Sequence, residues 1–336
     1  MEVLGFGLGH TSLHFTVRLR LRRNQRPCSA DNQRQQSSAD APDARLALMN
    51  SQSIRQELDS ARRNGPLRQI QIPPCPELLQ RLQAAMADAE PNLNEVARIA
   101  ASDVAMSATL LKCANSLVHK EPGGLPCTTV GQALNRIGLD ETAAVMTGFL
   151  LRNTIPVNSP HPLRFWERSS KRAVAMAFIA RQLAGLSPDL AHTYGLFCHV
   201  GMPVLLQSVR GYGSTMVEAA ARIDRPYIAT ENANHKTDHA VVGALVIRAW
   251  NMAPELMSAI RLHHDFESLG HAGIDPDVHT LVAAGLAAEH LMRRHEALPE
   301  DLDWAVNHVA ALDWLQIGMD EVEQWDELLR PLLDEA

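Results

Sequence analysis

The sequence predicts an all-α fold, and three observations carry that expectation. From Ser51 onward apolar residues recur at three- and four-residue spacing. Runs of β-branched residues that would mark strands are few, and residues suited to helix caps stand where the periodic segments begin.

Taken in order, Leu67 to Pro76 holds three prolines and no periodicity, and Pro76 is placed to open a helix carrying Leu78, Leu79 and Leu82. Asn92 and Asp103 are expected N-caps for helices over Leu93–Ala101 and Val104–Ser116. Glu121-Pro-Gly-Gly-Leu-Pro reads as a loop. Val130–Ile137 ends at Gly138, a good left-handed cap position, before a helix from Asp140 to Arg152. These helices define a first lobe, 66–153. Beyond a Pro156–Pro162 linker, a second lobe at 163–294 holds helices over Arg164–Ala184, from Ser187-Pro188 to near His199, and over Tyr212–Ile223, His239–Trp250, Pro254–His264 and Val278–Arg293. Two further helices, 301–316 and 320–333, fall within a C-terminal segment, 295–336. No internal repeat of fixed period occurs.

The first 48 residues are different material. Their seven arginines and four acids leave them at +3 and the remainder at -10, within a total of -7. Residues 24–45 hold almost nothing large and apolar, so they cannot offset the entropy of ordering, and 1–48 is expected to be a disordered basic and polar extension. Translation from Met49 is the alternative. The net negative charge argues against broad attraction to nucleic acid or anionic lipid. The longest nearly uninterrupted apolar stretch, Thr142 to Leu151, is half of the roughly 20 residues a bilayer span requires. Five cysteines, at 28, 75, 113, 127 and 198, lack a Cys-x-x-Cys pair or a zinc-type Cys/His spacing, so free thiols and a cytoplasmic location are expected.

No Gly-x-Ser-x-Gly elbow, P-loop or Gly-x-Gly-x-x-Gly after a strand is present, which argues against covalent hydrolases and nucleotide-fold enzymes. The informative segment is Gly195-Leu-Phe-Cys-His199-Val200-Gly201. A histidine followed by aspartate helps bridge two metal ions and activate water; valine can do neither.

Three stretches fit one family. Ile72-Pro-Pro-Cys-Pro-Glu-Leu-Leu followed by Ser102-Asp-Val-Ala-Met-Ser-Ala-Thr-Leu-Leu-Lys-Cys-Ala-Asn-Ser-Leu resembles the opening and the Ala-Asn-Ser signature of HDOD domains, the HD-related output domains of bacterial signalling. Thr129-Val-Gly-Gln-Ala-Leu-Asn-Arg-Ile-Gly is similar to that family's next block. The resemblance continues through Phe165-Trp166, Gly195–Val200, Asp238-His-Ala-Val-Val-Gly-Ala, Trp250 and Leu262-His-His, covering 66–268. It implies a two-lobed helical domain related to HD phosphohydrolases that serves as a signalling or protein-interaction module, without catalysis.

Against that pattern, Arg168 replaces the first ligand histidine, Val200 the aspartate, and Ala284-Gly285 the last carboxylate, while His199, His239, His263 and His264 survive. A fixed cation beside a metal pocket repels the metal, so these are read as vestigial positions, with no metal and no cofactor expected. His199 is expected to pack at a helix end. His235 and His239 stand i, i+4 and could share a helix face. Asp238 is an expected N-cap, and Glu231 is expected to pair with Arg168 across the old site. His263-His264-Asp265 reads as a helix C-terminus, Asn115-Ser116 as residues satisfying the end of their helix, and Cys198 as structural.

The expected function is a non-catalytic signalling module of a bacterial regulatory pathway, which the resemblance alone ties to second messengers, with another signalling protein as partner in trans. Two alternatives stand beside it. One is a divergent phosphohydrolase using His199, His239, His263, His264 and Asp265 around one metal; the other is a sensor of an anionic, nucleotide-like ligand held by Arg168. Oligomeric state is left open by the sequence.

Overall fold

Helix caps and prolines start the helices at nearly every boundary the pattern predicts. The protein is described by a computed structural model covering residues 51–335 apart from 65, 88–89, 117–118, 120–123 and 158–161. The expectations for 1–48 and Met49 lie outside the described residues, which form sixteen α-helices and no strand.

α1 (Ser51–Asn64) leads through a 3-10 turn at Pro66–Gln69 into the extended proline segment. That segment is anchored by Trp250, whose Nε1 donates to the Pro73 carbonyl at 2.9 Å. α2 (Glu77–Met86) starts directly after Pro76. α3 (Leu93–Ala101) and α4 (Val104–Ala114) are capped by Asn92 and Asp103, whose side chains accept from Glu95 N and from Ala105 N and Met106 N. α5 (Val130–Ile137) opens on a reciprocal Thr129–Gln132 capping box. α6 (Leu139–Thr154) follows with no loop because Gly138 takes φ +83°. Its ψ of 169° makes Gly138 an extended corner instead of the expected left-handed cap. Asn115 does more than finish its helix: it donates to the Cys127 carbonyl at 2.9 Å and accepts from Cys127 N at 2.7 Å, closing the segment between α4 and α5.

α7 (Pro162–Gln182) and α8 (Pro188–Phe197) form an intimate pair. α9 (Gly201–Ser208), α10 (Tyr212–Ala221) and α11 (Tyr227–His235) lead into α12 (His239–Ala249) and α13 (Pro254–Leu262). The pattern singled out neither α9 nor α11. In α9 the run Gly201–Leu205 is buried throughout, so no polar face gives it a period, and α11 is largely polar. α14 (Pro276–His295), α15 (Leu302–Leu315) and α16 (Met319–Glu335) complete the chain. α16 passes through Pro331 and runs past the expected end at 333, holding Leu329 and Leu333 in the core on either side. Buried apolar side chains from Ile54 to Leu333 belong to one contiguous core.

Two glycines set the closest approaches. A Cβ on Gly195 would lie 2.5 Å from Ala173 Cα on α7, and one on Gly201 would lie 2.1 Å from the His239 carbonyl oxygen and 2.7 Å from Gly243 N on α12. Neither neighbour is a side-chain end that could swing away. Gly201→Ala is therefore expected to destabilise the protein by on the order of 3 kcal/mol in urea unfolding. At Gly131, on α5, a Cβ would meet nothing within 4 Å. Gly131→Ala is expected to be neutral or stabilising by about 0.5–1 kcal/mol in the same assay.

Candidate functional site

The two glycines bracket the turn that carries His199, pressing it between α7 and α12. His239 is the first residue of α12, and His263 and His264 follow directly on α13. These four surviving histidines converge. One side-chain nitrogen from each lies within 4.8 Å of those of the other three. His239 Nε2 is 3.1 Å from His263 Nε2 and 3.3 Å from His264 Nε2. The His199 ring stacks 6.3 Å from that of His264 and sits edge-on to His239 at 5.1 Å. Burial, the Arg172 charge and the three neighbouring imidazoles push His199 well below the usual histidine range.

The far nitrogens are held from outside. His239 Nδ1 bonds Glu231 Oε2 at 2.7 Å, and the His239 backbone N–H also donates to that oxygen. The Tyr212 hydroxyl donates to the other Glu231 oxygen. His264 Nδ1 bonds Asp303 Oδ2 at 2.5 Å, and His263 Nδ1 donates to the Ile260 carbonyl at 2.7 Å. Burial works against ionised Glu231, but the His239 charge and the bonds from His239 and Tyr212 hold its carboxyl below the ordinary range.

Arg168 and Glu231 do not pair. Arg168 bonds Glu289 at 2.7 Å and approaches Glu296 at 3.4 Å; Arg172 bonds the other Glu289 oxygen at 2.9 Å. The expected partner was wrong because Glu289, one acid in the apolar run of α14, reaches both arginines, while Glu231 is already taken by Tyr212 and His239. The signal for Glu289 was that lone charge between Ala288 and Leu291; Asp303 was hidden by its resemblance to an ordinary acid in a helix's first turn. Asp238 caps α12 as expected, accepting from Val241 N at 2.9 Å and from Asn232 at 2.7 Å. His235 and His239 share no helix face, since Lys236 turns left-handed at φ +60° and ends α11; His235 bonds Thr215 instead. Cys198 turns from its neighbour His199 toward His263, Tyr194 and the Arg172 charge.

The related phosphohydrolase centre, with two metals bridged by carboxylate, does not fit these residues. Val200 is 1 % exposed and Ala284 0 %, so the two positions at which the resemblance expects carboxylates carry fully packed apolar side chains. What remains is an all-nitrogen donor set suited to one ion at most. A cavity of about 690 Å³ reaches it at His264, and its wall includes Glu57, Asp238, Asp265 and Asp303 against Lys236 and Arg261. The acidic excess favours a cation over an anion.

A second group was missed by sequence spacing. Cys113 on α4, His119 and Glu141 on α6 come together, with His119 Nε2 2.9 Å from Glu141 Oε1. The Cys113 and Glu141 hydrogen bonds push His119 up to about 10.

The helical architecture and its histidine pocket define a protein of the HD-like class. The HDOD domain matches residues 72–266, more than half of the chain, and the chain belongs to the HDOD family, which is associated with signal transduction. A protein of Marinobacter aquaeolei VT8 provisionally named for signal transduction is similar in fold, with a TM-score of 0.66 at 20% identity, over 86% of this chain and 65% of that one. An HDOD domain protein of unknown function from Geobacter sulfurreducens gives 0.62 at 20% identity, over 84% and 98%. A Shewanella amazonensis SB2B protein provisionally named a phosphohydrolase gives 0.63 at 18%, over 84% and 95%. An uncharacterized protein of Treponema pallidum (strain Nichols) is 23% identical over 243 residues, which span 69% of this chain and 45% of that protein. No helix among the described residues is long and apolar enough to cross a membrane.

Two outcomes follow from the ion pairs. The Arg172 side chain is 4 % exposed and that of Arg168 32 %. Arg172→Met is expected to cost about 3 kcal/mol in chemical unfolding, because it leaves half-buried Glu289 short of its inner partner, and Arg168→Ala about 1 kcal/mol or less. His119, raised from 6.5 to about 10, stabilises the fold fully below pH 6.5 and loses that contribution as pH rises toward 10. The melting-temperature gap between wild type and His119→Gln is expected to shrink steadily over that window.

Proposed function

We propose that this chain is a non-hydrolytic signalling module of a bacterial regulatory pathway, working in the cytoplasm by binding another protein in trans. The observation that carries the reading is that Val200 and Ala284, which the resemblance matches to bridging carboxylates, are apolar and fully packed. Burying a carboxylate at either place would require rebuilding the interior, so the loss is built into the core. Family membership and its association with signal transduction support the positive half of the reading. The anion-sensor alternative is weakened, since Arg168 is engaged by Glu289 and Glu296 and the cavity wall carries more acids than bases.

A second reading, a phosphohydrolase working around a single metal, is favoured by the convergence of the four histidines alone. Incubation of the full chain with bis(p-nitrophenyl) phosphate and with cyclic dinucleotides, in the presence of manganese, iron, zinc or nickel, separates the two. The expected result is turnover no greater than that of the free metal. Turnover that is saturable and lost in His239→Ala would replace the signalling reading with the enzymatic one.

A further inference from the structure

Cys113, His119 and Glu141 take no part in the histidine pocket. Their donors come from three separate places: the last turn of α4, the turn beyond it and the first turn of α6. The chain after α4 is held in place. Asn115 pairs with both backbone groups of Cys127, and the His119 N–H donates to the Ser116 carbonyl at 3.2 Å. His119 is thereby returned to α4, where a sulfur, an imidazole nitrogen and a carboxylate oxygen lie within 4.8 Å of one another. His119 Nε2 is 2.9 Å from Glu141 Oε1.

One sulfur, one nitrogen and one oxygen form a donor set of the zinc type. With bonds of about 2.3 Å to sulfur and 2.0–2.2 Å to nitrogen and oxygen, tetrahedral ligand atoms lie roughly 3.4–3.6 Å apart, within reach of this cluster by side-chain rotation. As ligands, a thiolate and a carboxylate carry two negative charges beside a neutral imidazole, which balances a divalent ion. The surroundings are acidic as well: burial and the charges of Asp140 and Glu141 push the Asp189 carboxyl up, and the opposing cation, Arg181, is exposed. A separate observation concerns α8. His192 lies in the field of Glu141, and its Nδ1 is buried with no hydrogen-bond partner among the described residues. Buried polar atoms are seldom left in that condition, and a tetrahedral ion with three protein ligands takes a fourth donor.

We propose that Cys113, His119 and Glu141 bind one divalent transition cation of the zinc class, which ties α4 to α6 in the first lobe. Sulfur and imidazole select zinc or cobalt over magnesium and calcium, which require oxygen ligands. The site runs against the expectation of a chain without metal. Five residues separate Cys113 from His119 and Glu141 stands on another helix, so no zinc-type spacing announces it. It is independent of what the four histidines bind and of whether the module hydrolyses anything.

The test uses the full chain, reduced, stripped with a chelator, checked for helical content and titrated with Co²⁺. The expected result is a thiolate-to-cobalt charge-transfer band in the near ultraviolet, which imidazole and carboxylate ligands cannot give, and its loss when Zn²⁺ is added. Cys113→Ser is expected to lose the band. Cys198→Ser is expected to keep it, which separates this site from the thiol beside His263. Since outer partners alone carry 10- to 100-fold of a metal's affinity, loss of a direct ligand in His119→Ala or Glu141→Gln is expected to raise half-saturating Co²⁺ by at least about 10-fold. These two variants also serve if Cys113→Ser does not fold. A folded, reduced wild type that gives no charge-transfer band overturns the proposal. So does a band that persists in Cys113→Ser, or one whose half-saturation is unchanged in both His119→Ala and Glu141→Gln.

Discussion

The contact on which the pocket depends is that of Gly201 with the backbone of α12. There is room for a hydrogen and nothing more between Gly201 and the His239 carbonyl. Gly195 makes the corresponding approach to α7 one turn before His199. Between these two points the chain has little freedom, so the His199 ring is delivered to the face of α12 where His239 begins. Backbone contact of this kind is stiffer than side-chain packing, because neither partner has a rotamer to change. It fixes the distance between two helices first, and the chemistry of the pocket inherits that distance.

Charge is organised around the same region in two separate layers. On the α7 side, Arg168 and Arg172 close on Glu289, with Glu296 further out. The fixed cation expected to pair with Glu231 is therefore already paired with Glu289 of α14. Its charge helps hold α7 to α14, and although the Arg172 charge still reaches His199, the other histidines have a second layer of their own. There, Glu231 and Asp303 approach from α11 and α15.

Most of the fold was legible because helix boundaries are local chemistry. Asn92, Asp103, Thr129, Ser187 and Asp238 cap through side chains to backbone groups two or three residues away, and such signals survive without any knowledge of tertiary structure. α9 and α11 were not singled out for the complementary reason: the first five residues of one are all buried and the other is mostly polar, so neither shows a clear amphipathic period. Within the site, the four histidines were legible as positions, from the motif that surrounds each. Their partners were not. Glu289 lies 121 residues from Arg168 and Asp303 39 residues from His264, and nothing in local spacing links them.

Asp303 carries a consequence for how the family core relates to the rest of the chain. The HDOD match ends at 266, yet the acid that fixes His264 comes from α15, beyond it. The pocket is thus completed by a helix outside the family's shared core, and the same helix carries Trp304, whose ring stacks on His290 of α14. Through their far nitrogens the histidines are tied to α11, α13 and α15 at once. A shift of any one ring is therefore passed along its hydrogen bond to a different helix.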